Sequence, residues 1–199
     1  MIVIVVLAAG ASSRMQGRDK LMEDVDGMPL LRRQVLRSLG TGCEVLVTLP
    51  AAPHPRYDTI KDLDVSVVPV PDAAEGMNAS LRAGISAVPD AASGVMVTLA
   101  DMPDITKGDM NTVLKEVNFC SGEKIWRAVT EAGDPGHPIV FHKDLLPRLS
   151  ALSGDQGGSA VVRENRDKTR FIPLPADHAR TDLDTPEAWA DWRARRVVT

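Results

Sequence analysis

Residues 1–20 read MIVIVVLAAGASSRMQGRDK, an unbroken apolar run that gives way to small residues and then to Arg14, Arg18 and Lys20. Ile2 to Val6, followed by Leu7, are rich in β-branched side chains and show no polar alternation. A run of that kind is a strand buried on both faces, which requires a mostly parallel sheet with helices above and below. The loop behind it then lies at the carboxyl end of the strand, where open α/β sheets bind their ligands.

Three readings compete for this segment. A secretory signal would find a short apolar core in Ile2 to Leu7 and a small-x-small site at Ala9-Gly10-Ala11, but its basic residues stand after the apolar run instead of before it. A dinucleotide fingerprint needs G-x-G-x-x-G, whereas Ser12 and Met15 occupy the second and third glycine positions, and no G-K-[ST] follows to make a Walker loop. What remains is a loop of small residues with backbone N–H and hydroxyl donors and three cations within seven positions, suited to a polyphosphate. Ser12 and Ser13 are also explained by turn chemistry alone.

Further apolar runs at Val45 to Leu49, Val65 to Val70 and Val95 to Leu99 alternate with amphipathic stretches, the pattern of an α/β domain. Leu30, Leu31, Val35 and Leu39 share one helical face, with Pro29 suited to the first turn and Gly40 behind. Asn78 is placed to cap a helix through Leu81 and Ile85, and Thr106 another through Met110, Val113, Leu114 and Val117. Ile125 to Thr130 and His137 to Phe141 flank a Gly-Asp-Pro-Gly turn and predict a hairpin. A helix through Leu145, Leu149 and Leu152 then leads to a loop at Gly154-Asp155-Gln156-Gly157-Gly158.

With 199 residues and no internal linker, one domain is expected. No apolar run approaches the roughly 18 residues of a membrane span. A net charge of −4 with three Phe, one Tyr and three Trp disfavours nucleic acid as a partner. Cys43 and Cys120 lack any metal-binding spacing and read as reduced, partly buried thiols of a cytoplasmic protein.

Asp101 ends an apolar strand before a proline-forced turn, so its carboxylate is expected in the ligand crevice, able to hold Mg²⁺ against phosphate oxygens. The alternative is a helix cap, for which Thr106 is better placed. Arg14 and Lys20, just behind the first strand, are candidate phosphate contacts, although surface loops commonly carry such residues.

Leu7-Ala8-Ala9-Gly10-Ala11-Ser12-Ser13-Arg14-Met15, closing at Asp19-Lys20-Leu21, resembles the nucleotide-binding signature of the MobA-like nucleotidyltransferases, and Leu99-Ala100-Asp101-Met102-Pro103 resembles their metal-binding strand end. Gly76-Met77-Asn78-Ala79-Ser80-Leu81, Gly136-His137-Pro138, Gly154 to Gly158 and Asp182-Leu183-Asp184-Thr185-Pro186-Glu187 are similar to the branch that acts on molybdopterin. Gln16 intervenes where that family often has glycine, Asn78 stands where glycine is common, and Gly158-Ser159 replaces Ala-Arg.

The resemblance implies a Rossmann-like, glycosyltransferase-A-like three-layer sandwich over residues 1–199, with a nucleotide half to about 118 and an acceptor half beyond. It implies transfer of CMP from CTP to the phosphate of molybdopterin, with Mg²⁺, or else Mn²⁺, held by Asp101 with Asp184 or Asp182. Ala9 favours CTP over GTP within that family. Leu7 to Gly10 and Ser80 would meet base and ribose, Arg14 the leaving phosphates and Lys20 the α-phosphate. Gly76, Met77, Asn78, Gly136, His137, Pro138 and Asp155 would complete the binding site. A client molybdoenzyme or its chaperone is an implied partner. A transferase with GTP or another acceptor, and a non-catalytic nucleotide-binding accessory protein, stay open as alternatives.

Overall fold

The computed structural model of the chain describes residues 1–152 and 157–197. In chain order its elements are β1 (Ile2–Leu7), β2 (Asp24–Val25), β3 (Met28–Pro29), α1 (Leu30–Leu39), β4 (Glu44–Pro50), α2 (Arg56–Ile60), β5 (Ser66–Val70), α3 (Met77–Ser86), β6 (Gly94–Leu99), α4 (Lys107–Glu116), β7 (Ile125–Val129), β8 (Pro135–His142), α5 (Leu146–Ser150), α6 (Gly157–Glu164), β9 (Thr169–Pro173) and α7 (Pro186–Val197). Seven strands form one sheet in the order β5-β4-β1-β6-β8-β7-β9. Only β8 runs against its neighbours in that sheet. The fold is α/β with a mostly parallel sheet, as the apolar runs predict.

Strand β1 shows why its sequence has no polar alternation. Ile4 and Val6 pack with Leu30, Leu31 and Val35 of α1, Met110 and Val113 of α4, and Trp189 and Trp192 of α7. Val3, Val5 and Leu7 turn to the other face, against Leu81 and Ile85 of α3, Leu149 of α5, and Val161 and Val162 of α6. Each such side chain contributes about 1.5–3 kcal/mol when removed from water. Helices on both sides of the sheet make the core two-sided.

Several local expectations change. Pro29 belongs to β3 and precedes α1 instead of opening its first turn, while Gly40 follows and its N–H donates to the Leu36 carbonyl at 2.9 Å. The chain enters α3 through Gly76 at φ 99°, a conformation that favours glycine, so Asn78 sits inside the first turn and is not the cap. Thr106 does cap α4: its hydroxyl accepts from Asp109 N at 3.1 Å, and Asp109 Oδ2 accepts from Thr106 N at 2.8 Å. The helix expected through Leu152 stops at Ser150 because Ala151 leaves helical geometry, and Gly157 and Gly158 open α6 instead of closing a loop. Cys43 is half-buried and Cys120 is exposed, both as free thiols. Among the described residues no helix is long and apolar enough to cross a membrane.

Candidate active site

The sheet order places the ligand crevice. From β1 the chain moves outward to β4 and β5, then returns to β6 on the other side of β1, which makes the boundary between β1 and β6 a topological switch point. The loop after β1, Asp101 after β6 and the start of α3 converge there. Because β8 is antiparallel, with Ile139 opposite Val97, its first residues also reach this edge.

A crevice of about 340 Å³ opens at the switch point. Leu7, Ala8, Ala9, Gly10 and Ser13 line it from the loop, Gly76, Met77 and Ser80 from α3, and Lys20 and Asp101 supply charge. Ala8 and Ala9 are each only 2% exposed, so the loop backbone lies flat against the sheet edge. At Gly10 a Cβ would meet nothing within 4 Å, leaving that stretch of backbone open to a ligand.

The loop keeps its shape through contacts within the protein. Met15 is fully buried as its anchor, and Gln16 at φ 53° with Gly17 at φ 85° absorbs the additional residue in a left-handed turn. Ser12 is occupied inside the loop, donating to Asp19 Oδ1 at 3.2 Å and accepting from Lys20 N at 3.2 Å. Arg56, which the sequence gives no reason to single out, organises the whole turn. Its Nε and Nη2 donate to Asp19 at 2.7 Å each, its Nη1 to the Ala8 carbonyl at 2.6 Å, and Nη2 also to the Gly10 carbonyl at 2.8 Å. With 1% exposure, it is a buried cation matched by a carboxylate and two carbonyls.

Lys20 is the hub of the charged end. Its Nζ donates to Asp101 Oδ2 and to Asp184 Oδ1, both at 2.5 Å. Asp184 arrives because Leu183 is buried in the core and its N–H donates to the Asp101 carbonyl at 3.2 Å, which pins residues 182–184 beside the end of β6. Arg14 lies outside the crevice, largely exposed, and pairs with Asp184. Burial raises the Asp182 carboxyl, helped by neighbouring Asp184 and Asp101, while burial of Asp184 is outweighed by Lys20, which holds that carboxyl down. Asp101 Oδ1 is buried and accepts no hydrogen bond among the described residues. A carboxylate oxygen without a donor, beside a second ionised carboxylate, fits a divalent cation, although no set of three metal-binding side chains is assembled among the described residues.

A second cavity of about 380 Å³ shares Leu7, Gly76 and Met77 with the crevice. Asn78 and His137 line it, as does Arg127, a second residue without a sequence signal. Burial pushes the His137 imidazole down to about 4, so the ring is neutral at pH 7. Gly136 and Pro138 are both buried and neither is among the residues that line the cavity. A Cβ on Gly136 would lie 1.8 Å from the Ala179 carbonyl oxygen, and His137 N donates to that same oxygen at 2.8 Å. Gly136→Ala is therefore expected to cost about 2–3 kcal/mol in urea unfolding, since backbone and not a flexible side chain must move. Asp155 lies outside the described residues.

Comparison with known proteins agrees with this architecture. A sequence profile described as MobA-like NTP transferase domain matches residues 4–169. Rv0371c from Mycobacterium tuberculosis H37Rv superposes with a TM-score of 0.81 at 26% identity, covering 98% of this chain and 96% of that one. The same protein solved as a complex with manganese gives 0.78 at 24% identity, with 96% of each chain covered. CMP:2-keto-3-deoxy-manno-octonic acid synthetase, complexed with CTP, shares the fold with a TM-score of 0.76 at 17% identity over 98% of both chains. Among curated proteins no significant match is found. The profile spans most of the chain, from β1 to the start of β9, and takes in the switch-point crevice with its loop, Lys20 and Asp101: the chain belongs to the MobA-like NTP transferase family and is a nucleotidyltransferase.

Proposed function

We propose that the protein transfers CMP from CTP to the phosphate of molybdopterin, releasing pyrophosphate and forming the cytosine dinucleotide. The observation that carries this reading is Lys20 Nζ bonded at once to Asp101 and Asp184 at the edge of a crevice walled by small residues. The acceptor assignment is supported by the Gly76-Met77-Asn78 and Gly136-His137 segments, whose members line or support the cavity beside that crevice.

In the reaction an acceptor phosphate oxygen forms a bond to the α-phosphorus as the bond to the β-phosphate oxygen breaks, and the electron pair leaves with pyrophosphate. Both reactants are anions, so the site has to screen repulsion and hold them in line. Mg²⁺ held by Asp101 and Asp184 would neutralise triphosphate charge, with Mn²⁺ as a substitute. Lys20 takes charge that builds on the α-phosphate, and Arg14, free to move at the surface, takes the leaving pyrophosphate. Asp19 and Arg56 keep the loop backbone in place. The acceptor phosphate is already ionised, so the step needs no protein nucleophile.

The test is kcat/KM for each nucleotide with molybdopterin and Mg²⁺, followed by pyrophosphate release. CTP is expected to exceed GTP by at least about tenfold, because Leu7-Ala8-Ala9-Gly10, with the Ala9 that favours CTP in the family signature, lines the crevice; one added or missing packing feature is commonly worth that much. Equal use, or a preference for GTP, would overturn the cytidylyl assignment.

A further inference from the structure

In the switch-point crevice Lys20 is already matched by Asp101 and Asp184, and Arg14, outside it at the surface, pairs with Asp184. The acceptor phosphate needs positive charge of its own, and the adjoining cavity is lined by a half-buried cation, Arg127, at a strand position where charge is unusual. Arg127 is in β7, an interior strand between β8 and β9. It lies opposite Ile139 and two positions from Ile125, both of which belong to the apolar cluster on the α3, α5 and α6 face. An interior position on that face calls for an aliphatic side chain.

The strand is adapted to the exception. Register shifts between Arg127 and Val129, an irregularity of the type that re-aims a side chain. Arg127 Nε donates to the Gly136 carbonyl at 3.1 Å, and no carboxylate pairs with the guanidinium among the described residues. Glu75 also lines the cavity but is taken by Arg82 at 2.7 Å. The other walls are largely apolar, from Leu81, Val97, Ile139, Phe141 and Val162, with Gly158 and Ser159 at the start of α6. Partial burial, reinforced by the positive charge of Arg180, holds the guanidinium below its usual value. His137, which lines the same cavity, lies within the field of both Arg127 and Asp101.

We propose that Arg127 binds the acceptor's phosphate, holding the attacking group of a phosphate monoester whose apolar or aromatic body occupies the cavity beyond. This deepens the proposed function and rests on its phosphate acceptor, not on the identity of the pterin. A planar fork with two remaining N–H edges suits a phosphate better than an ammonium does.

The experiment is isothermal titration of inorganic phosphate into the protein saturated with Mg²⁺ and the α,β-methylene analogue of CTP, for wild type, Arg127→Gln and Arg127→Lys. Wild type is expected to bind phosphate, Arg127→Gln to bind it at least about tenfold more weakly and Arg127→Lys to fall between, because charge-assisted contacts of this kind are worth about that factor. Affinity for the CTP analogue should be the same in all three. Should Arg127→Gln not fold, Arg127→Lys is read alone against wild type. No phosphate binding in wild type, equal binding in the variants, or a matching loss of the CTP analogue would each overturn the proposal. Arg127-dependent phosphate binding in a protein inactive with molybdopterin would uphold this site and retire the pterin assignment.

Discussion

Asp101→Asn is expected to lower turnover by about 10² to 10³ while leaving the fold intact, the loss found when one preorganised electrostatic partner is removed from a developing charge. The carboxamide keeps the shape of the side chain and one oxygen that accepts from Lys20. It loses the second oxygen, Oδ1, which is buried and has no donor among the described residues. As a phosphate-neutralising metal ligand Asp101 needs that oxygen; as a helix cap it would not, because Asn caps about as well as Asp. The structure assigns the cap of α4 to Thr106 and Asp109, which leaves Asp101 no capping work. Lys20 retains Asp184, so unfolding free energy should change by no more than about 1 kcal/mol. Initial rates over a Mg²⁺ titration, set beside a urea melt, decide the matter. A wild-type rate with wild-type metal dependence would remove Asp101 from the site.

Arg56→Met should have the largest effect on stability, about 3–5 kcal/mol, because it leaves a half-buried carboxylate without its cation and the Ala8 and Gly10 carbonyls without their donors. For a chain of this size that corresponds to a fall in Tm of roughly 6–20 °C. CTP affinity should fall with it, measured well below the new Tm, since the freed carbonyls belong to the loop that lines the crevice proposed for the nucleotide. Arg56→Lys should recover part of both losses, as an ammonium reaches fewer acceptors than a fork. The pH dependence follows from Asp19. Its burial raises the carboxyl, but the hydrogen bonds and charge of Arg56 outweigh that and hold it below the usual carboxylate range. A carboxyl lowered in the folded state contributes stability that is fully present above its unfolded pKa, about 3.9, and is lost as pH falls through the folded value. The stability gap between wild type and Asp19→Asn should therefore be constant from pH 7 to about 5 and close below 4. A gap that widened on acidification would refute the pairing as the source of stability.

Local pattern was enough for much of the fold. The β-branched runs of β1, β4 and β6 lie within a residue or so of where the apolar stretches place them, because a strand buried on both faces writes its burial directly into consecutive residues, and the edge strand β5 is found as closely although only Val70 of it is buried. Thr106 and the hairpin around Gly133-Asp134 are legible for the same reason, each being settled by neighbours a few positions away. α6, β9 and α7 are not, since α6 opens on two glycines and β9 exposes Arg170 and Phe171 at the sheet edge. The helix expected to start at Asn78 shows the limit at close range: cap identity turned on the backbone angle at Gly76, which composition does not reveal.

The sequence by itself determined that a small-residue loop with Lys20 follows a doubly buried strand and that Asp101 ends another, because burial periodicity and turn chemistry are local. Only the tertiary structure decided that Lys20 bonds Asp184, 164 positions away, that Arg56 holds the loop from 37 positions beyond Asp19, and that Arg127 lines a largely apolar cavity with no carboxylate partner among the described residues. Those partnerships depend on strand order and register, which bring together residues whose separation in the chain carries no information about the charges they will meet. An arginine that opens a short helix and an arginine in a strand look alike until the sheet has closed around them and the lower dielectric of their surroundings sets what each guanidinium needs as a partner.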